Sequence, residues 1–392
     1  MKKIKFLVCF ILVLILIMLA GCNDVKYLDL NNNELKEDSE LDLYEELVDS
    51  IIQNMSLSDM VYQMMFVTPE AMSQKKTVTF VDDTLKESLE SYSVGGIIYF
   101  AENFIDRQQT INMISKTQSY SKIPLFIGVD EEGGRVSRLG NNYAMGITKH
   151  PPMKEIGDTK DPQKAYEVGR ILGKELSELG FNVDFAPNSD VITNINNKEI
   201  GNRSFGTDPQ NVSLMVENVV KGLNDNNMSC SLKHFPGHGS TYKDSHTGYS
   251  ESNRTYNELQ NNEFLPFKAG IKAGADFVMV SHMTLVNATD EKVCSSLSKE
   301  VITDMLINEL GFKGIVITDS FSMGAITREY SVEEASVKAV KAGVDMILMP
   351  SDLQKSHSAV LSAVNSGEIS KERIEQSVRK ILLLKAKRGI LN

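Results

Sequence analysis

The spacing of apolar positions changes character along the chain. Tyr44, Leu47, Val48, Ile51, Ile52 and Met55 share one face at helical spacing. Ser56 followed by Asp59 forms a capping pattern that predicts the start of a second helix. From there, short β-branched or apolar runs recur, separated by helix-like stretches. They are Gln63 to Val67, Gly96 to Phe100, Pro124 to Asp130, Asn182 to Ala186, Ser229 to Phe235, Asp276 to His282, Gly314 to Asp319 and Asp345 to Met349. Eight strands alternating with helices over roughly 350 residues predict an α/β fold, a (β/α)8 TIM-type barrel with loop insertions. An open doubly wound sheet is the alternative, but no Gly-rich nucleotide fingerprint follows the first run. The pattern closes with a helix at Lys371 to Arg388, so residues 43–392 read as a single domain.

The N-terminus departs from this pattern. Met1 to Lys5 carries three lysines, and Phe6 to Ala20 is an uninterrupted apolar run leading into Leu19-Ala20-Gly21-Cys22. A basic start, a short apolar core and small residues before the cut describe a secretory leader over residues 1–21. The run is short for a membrane span of about 20 residues. Leu-Ala-Gly-Cys also resembles the bacterial lipoprotein signal, which implies a lipid on Cys22 and a protein anchored to the cell membrane on its extracytoplasmic face. Residues 22–42, rich in Asn, Asp and Glu and without periodicity, read as an acidic flexible tether.

Composition narrows the function classes. With 42% hydrophobic and 24% charged residues among 392, the chain is globular rather than disordered or collagen-like. Forty-one basic residues against 52 acidic ones give a net charge of −11, which argues against nucleic acid as a main partner. Cys9 leaves with the leader and Cys22 carries lipid, so Cys230 and Cys294 remain. Both flank apolar segments and read as buried free thiols, with a pairing between them in an oxidising exterior as the alternative.

Polar residues terminate several predicted strands. Asp130 ends PLFIGVD, Lys233 and His234 end CSLKH, His282 ends FVMVSH and Asp319 ends GIVITD. In a barrel those ends face one mouth, where chemistry is built. Helix capping is the alternative for any one of them. In DEEGGRVSR, Gly133 and Gly134 permit a tight turn, and Arg135 and Arg138 follow. KHFPGHG sets a fixed cation beside an imidazole before Pro236-Gly237 breaks the chain into a loop. Further along that loop Asp244 and His246 lie two apart, so the carboxylate can hold the ring, fix its tautomer and raise its basicity for acid/base work. An incidental surface histidine is the alternative. Asp319, on a very apolar strand, reads as a helix cap or a nucleophile.

Together these segments resemble the single-domain β-N-acetylhexosaminidases of glycoside hydrolase family 3, the NagZ type. The resemblance runs from Leu43 to Asn392 and includes the E-G-G-R-V turn, G-N-R-S-F-G at Gly201 to Gly206, K-H-F-P-G-H-G, the D-S-H loop and T-D-S-F-S-M-G-A. It implies a retaining double displacement with Asp319 as nucleophile, His246 as acid/base and Asp244 as its partner. It assigns Asp130, Arg138, Arg203, Lys233 and His234 to the hydroxyls of the terminal sugar. The implied substrate is a terminal, non-reducing β-N-acetylglucosaminide from muropeptides or chitin-type fragments. Neither a cofactor nor a metal is expected, and the protein is expected to be monomeric. The two-domain β-glucosidases of the same family take their acid/base from a second-domain carboxylate, where this chain has the D-S-H loop. Should His246 not be the proton donor, Glu131 and Glu132 are next in line.

Other functions fit parts of this pattern. Lys233 at a strand end suits a Schiff-base aldolase. His234, His238, His246 and His282 suit a metal hydrolase, although no H-x-H pair ends an early strand. A sugar-binding lipoprotein of a transporter would need two lobes around a cleft rather than one barrel. A phosphorylase of the same family differs only in admitting phosphate in place of water.

Overall fold

The computed structural model describes residues 41–241 and 250–391. The leader, Cys22 and residues 22–40 of the tether lie outside the described residues, as do Asp244 and His246. The chain divides into two compact units, residues 1–53 and 54–392. In the first, residues 41–53 are helical, so the helix begins two residues inside the stretch read as tether. The second opens as the capping pattern predicts. Ser56 Oγ accepts from the Asp59 N–H at 3.1 Å and starts the helix Leu57–Gln63.

Eight strands follow, one within each apolar run. They are β1 Met65–Val67, β2 Gly96–Ile98, β3 Phe126–Val129, β4 Val183–Asp184, β5 Ser229–Phe235, β6 Phe277–Val280, β7 Ile315–Thr318 and β8 Ile347–Leu348. They hydrogen-bond in chain order in a single sheet, with β8 beside β1. Every neighbouring pair is parallel. A bridge between Ile317 and Met346 joins β7 to the start of β8 and brings the sheet round into a barrel. The doubly wound alternative is thereby set aside, since an open sheet has two unpaired edges. A two-lobed receptor architecture is set aside with it.

Helices cross over between the strands, and their ends follow local rules. Asp161 and Asp208 accept from the N–H of Gln163 and Gln210, and Pro opens the first turn of helices Pro162–Leu179 and Pro209–Asn224. Inside the barrel, Phe66 packs edge-on to Phe185 at 5.3 Å between centroids, and Phe126 on Phe277 at 5.2 Å. Each such fully buried ring contributes roughly 2–3 kcal/mol by leaving water. Gly128 on β3 makes room for them, because a Cβ there would sit 2.7 Å from Phe185 and 2.9 Å from Phe66. Below these rings, Lys385 of the last helix, Lys371–Lys387, reaches Gln63 Oε1 at 2.9 Å and is fully buried.

Two small sheets decorate the strand ends. Glu131–Gly133 pairs antiparallel with Val136–Ser137, and Ser250–Thr255 pairs parallel with Met283–Asn287. Neither was marked by an apolar run, since both are short and largely polar. The first holds the expected tight turn, with Gly133 at φ 97° and Gly134 at φ 58°, a region that only glycine enters freely.

Candidate active site

The strand ends open on a cavity of about 360 Å³. Asp130, Arg138, Arg203, Lys233, His234 and Asp319 all line it, so the structure brings together every expected site residue that lies within the described part of the chain. Asp244 and His246 lie outside it. Ile98, Phe100, Met279, Met323 and Met349 supply apolar wall.

A buried ion network builds one side of the cavity. Lys233 extends along β5 with its ammonium 2.7 Å from Asp130 Oδ1 and 2.6 Å from Glu132 Oε1. Arg203, in the short 3-10 turn Gly201–Arg203, grips Glu132 with two N–H donors, Nε at 3.0 Å and Nη2 at 2.8 Å. Burial alone would raise the Glu132 pKa, but the Arg203 and Lys233 charges beside it outweigh that and hold it well below the usual carboxylate range. Burial works against the Lys233 charge in the same way, and Asp130 and Glu132 outweigh it and raise its pKa. An ammonium held this firmly is a poor amine nucleophile, which removes the basis of the aldolase reading.

His234 is oriented from behind. Its Nδ1 lies 2.8 Å from Asp190 Oδ2, and a carboxylate there accepts, so Nδ1 carries the proton. Nε2 then faces Arg203 Nη2 at 3.3 Å. Asp190 is fully buried, and its other oxygen accepts from the His238 N–H at 2.6 Å. It therefore ties the strand end to the PGHG turn. Burial lowers the His238 pKa to about 4.

Arg138 closes the rim. Its guanidinium lies over the Phe100 ring at 5.4 Å, and Nη2 stands 3.5 Å from Asp130 Oδ2. Arg138 Nε is buried without a hydrogen-bond partner among the described residues. An unsatisfied buried donor at a cavity wall is costly unless a ligand oxygen completes it. Met349 lines the same cavity in the left-handed region at φ 49°, a conformation that costs a non-glycine residue about 1 kcal/mol or more.

Asp319 stands at the end of β7. Its N–H donates to the Val280 carbonyl at 2.8 Å, and its Oδ1 accepts from the Ser320 N–H at 2.7 Å. It is not the cap of the following helix, Gly324–Thr327, whose N-cap is Met323. The capping alternative therefore falls, and the carboxylate faces the cavity.

The remaining expectations resolve by burial. Glu131 is 1% exposed, does not line the cavity and accepts from the Ser137 hydroxyl and the N–H groups of Leu139 and Gly140. Glu132 is locked between two cations. Neither is placed to donate a proton to a ligand. His282 is engaged by Ser296 and the Ser320 carbonyl, and His234 by Asp190 and Arg203. Among the described residues no three His, Cys, Asp or Glu side chains gather as metal donors. Cys230 and Cys294 are free and buried. Sequence reasoning missed Asp190, Glu199 and Phe100 as site residues and did not foresee Glu132 as the clamp between Arg203 and Lys233. The one local signal was a third carboxylate, Glu132, inside D-E-E-G-G-R.

A closed parallel barrel with carboxylates and cations gathered at the strand ends defines a (β/α)8 scaffold with its cavity on the face where such barrels build their chemistry. The model of the glycosyl hydrolase family 3 N-terminal domain matches residues 45–384, and the chain belongs to this family. It is 33% identical over 341 residues to beta-hexosaminidase A of Pseudoalteromonas piscicida, covering 80% of this chain and 56% of that protein. It is 34% identical over 270 residues to a beta-hexosaminidase of Stenotrophomonas maltophilia (strain R551-3), covering 67% of this chain and 78% of that one. A family 3 beta-N-acetylglucosaminidase structure from Paenibacillus sp. str. FPU-7 superposes with a TM-score of 0.80 at 35% identity, covering 86% of this chain and 63% of that chain. The chain thus spans less than two thirds of the Pseudoalteromonas and Paenibacillus proteins.

Proposed function

We propose that the chain is a retaining exo-β-N-acetylglucosaminidase that removes terminal, non-reducing N-acetylglucosamine from cell-wall muropeptides or chitin-type fragments. The observation carrying this reading is Asp319, a strand-end carboxylate that shares one cavity with the Lys233, Arg203 and Arg138 donors. The beta-hexosaminidase relatives support the same sugar. In this scheme Asp319 attacks the anomeric carbon while His246, oriented by Asp244, protonates the departing oxygen. The bond to the aglycone breaks and a glycosyl-Asp319 ester forms. His246 then takes a proton from water, which attacks the same carbon and frees the carboxylate. Lys233, Arg203 and the unsatisfied Arg138 Nε would bind hydroxyls of the sugar. The ion network is already ordered, so little side-chain entropy is lost on binding. On the same reading Cys22 carries lipid and holds the enzyme on the extracytoplasmic face of the membrane.

Turnover of an aryl β-N-acetylglucosaminide, compared with the matching aryl glucoside and run with and without phosphate, tests the proposal. The N-acetyl sugar should be preferred, water should be the acceptor, and Asp319→Ala should abolish turnover on both. A preference for the glucoside would move the chain to β-glucosidase activity. Sugar 1-phosphate as the product would make it a phosphorylase.

A further inference from the structure

We propose that His282 is a positioning residue for Asp319, the last link of a hydrogen-bonded chain that runs from Cys294 through Ser296 to the Ser320 carbonyl. The proposal rests on Asp319 being the nucleophile. His282 stands two residues beyond β6, is 1% exposed and does not line the cavity. Its Nε2 lies 2.9 Å from Ser320 O, and a carbonyl can only accept, so Nε2 carries the hydrogen. In the neutral ring Nδ1 must then accept, and the Ser296 hydroxyl sits 2.8 Å away to donate. Ser296 Oγ in turn has the Cys294 sulfur at 3.5 Å. Burial pushes the Cys294 thiol up to about 11, so it stays protonated and can donate its S–H.

The chain is anchored beyond the imidazole. Ser296 N donates to the Ser281 carbonyl at 3.1 Å, and Ser281 N donates to Phe235 O on β5 at 2.8 Å. At its other end, Ser320 is gripped on both sides. Its carbonyl accepts from His282, while its N–H holds Asp319 Oδ1 at 2.7 Å. Fixing the carbonyl restrains the dihedrals of Ser320, so the N–H that aims the carboxylate cannot swing away. His282 therefore joins the ends of β6 and β7 and acts on the sugar through Ser320 and Asp319. A misplacement of about 1 Å in an attacking group can cost on the order of 100-fold in rate. The loss belongs in kcat rather than KM, because the cavity residues this chain acts on are Asp319 and Ser320, not the Lys233, Arg203 and Arg138 cations assigned to the sugar hydroxyls.

The test compares His282→Leu, His282→Gln and Ser296→Ala with wild type on an aryl β-N-acetylglucosaminide, with thermal midpoints measured alongside. Leu removes the donor and should lower kcat about 10- to 100-fold with KM within about twofold. Gln keeps an N–H donor at similar reach and should recover kcat to within about fivefold of wild type. Ser296→Ala should lower kcat at least about threefold with KM unchanged, and decides the matter if the Leu variant does not fold. The assignment is overturned if Gln and Leu lose kcat equally, if the loss appears in KM, or if Ser296→Ala turns over like wild type. Turnover surviving in Asp319→Ala would instead overturn the nucleophile reading beneath it.

Discussion

Replacing Glu132 with Gln removes one charge from the most buried part of the site and leaves its volume almost unchanged. In the wild-type protein three carboxylate contacts hold two cations: Arg203 Nε at 3.0 Å, Arg203 Nη2 at 2.8 Å and Lys233 Nζ at 2.6 Å. Gln can accept from one or two of these donors but cannot neutralise them, and its own amide hydrogens then point at a cation. Lys233 keeps Asp130, whereas among the described residues Arg203 keeps Glu199 at 3.3 Å as its remaining carboxylate partner. Leaving a buried cation without its partner costs about 3–5 kcal/mol. In a domain of this size that corresponds to a fall in melting temperature of about 6–10 °C, at roughly 2 °C per kcal/mol. Acid titration gives a second readout. The folded-state pKa of Glu132 lies below its ordinary 4.5, so its contribution is present above pH 4.5 and is lost as pH falls through the folded value. Chemical denaturation at pH 7 and at steps below pH 4.5 should show the variant less stable at pH 7 and with a shallower acid limb. The kcat/KM should fall by about 100-fold if Lys233 and Arg203 both lose their aim. A variant as stable as wild type at pH 7, with unchanged kcat/KM, would refute the view that this network is the framework of the site.

Three further outcomes are expected. His246→Ala should slow substrates with poor leaving groups by about 10²–10⁴-fold, spare the first step on activated aryl glycosides, and yield glycosyl azide when azide is added; equal slowing on both substrate types would count against His246 as the proton donor. Burial lowers the Lys385 pKa from 10.5 to about 7, so the unfolded chain binds its proton first and stability declines as pH falls from about 10.5 to 7, then levels. Lys385→Met should remove that dependence and raise the unfolding free energy at pH 7 by up to about 4 kcal/mol, and a lower denaturation midpoint would contradict it. Cys22→Ser should release the protein from the membrane or leave the precursor uncleaved, whereas a processed variant that still fractionates with membrane would end the lipidation reading.

The eight barrel strands and the turn at Gly133-Gly134 were legible in the sequence because each depends on residues that are neighbours in it. A β-branched run, a capping Ser56 or a pair of glycines carries its own instruction, and the strand-end positions of Asp130, Lys233, His234 and Asp319 follow once the strands are counted. The identity of Asp319 as a cap or a cavity carboxylate was not settled there, since both roles need the same residue after the same strand. Only the tertiary structure decided it, by starting the next helix at Gly324 with Met323 as its N-cap. The same holds for Lys233, which reads from the sequence as a fixed cation but is also compatible with an amine nucleophile. Its ammonium meets Asp130 across 103 residues, Glu132 meets Arg203 across 71, and Lys385 meets Gln63 across 322. No local pattern encodes such pairings, because they arise when barrel closure brings distant strand ends within hydrogen-bond reach and strips the water that would otherwise have screened them.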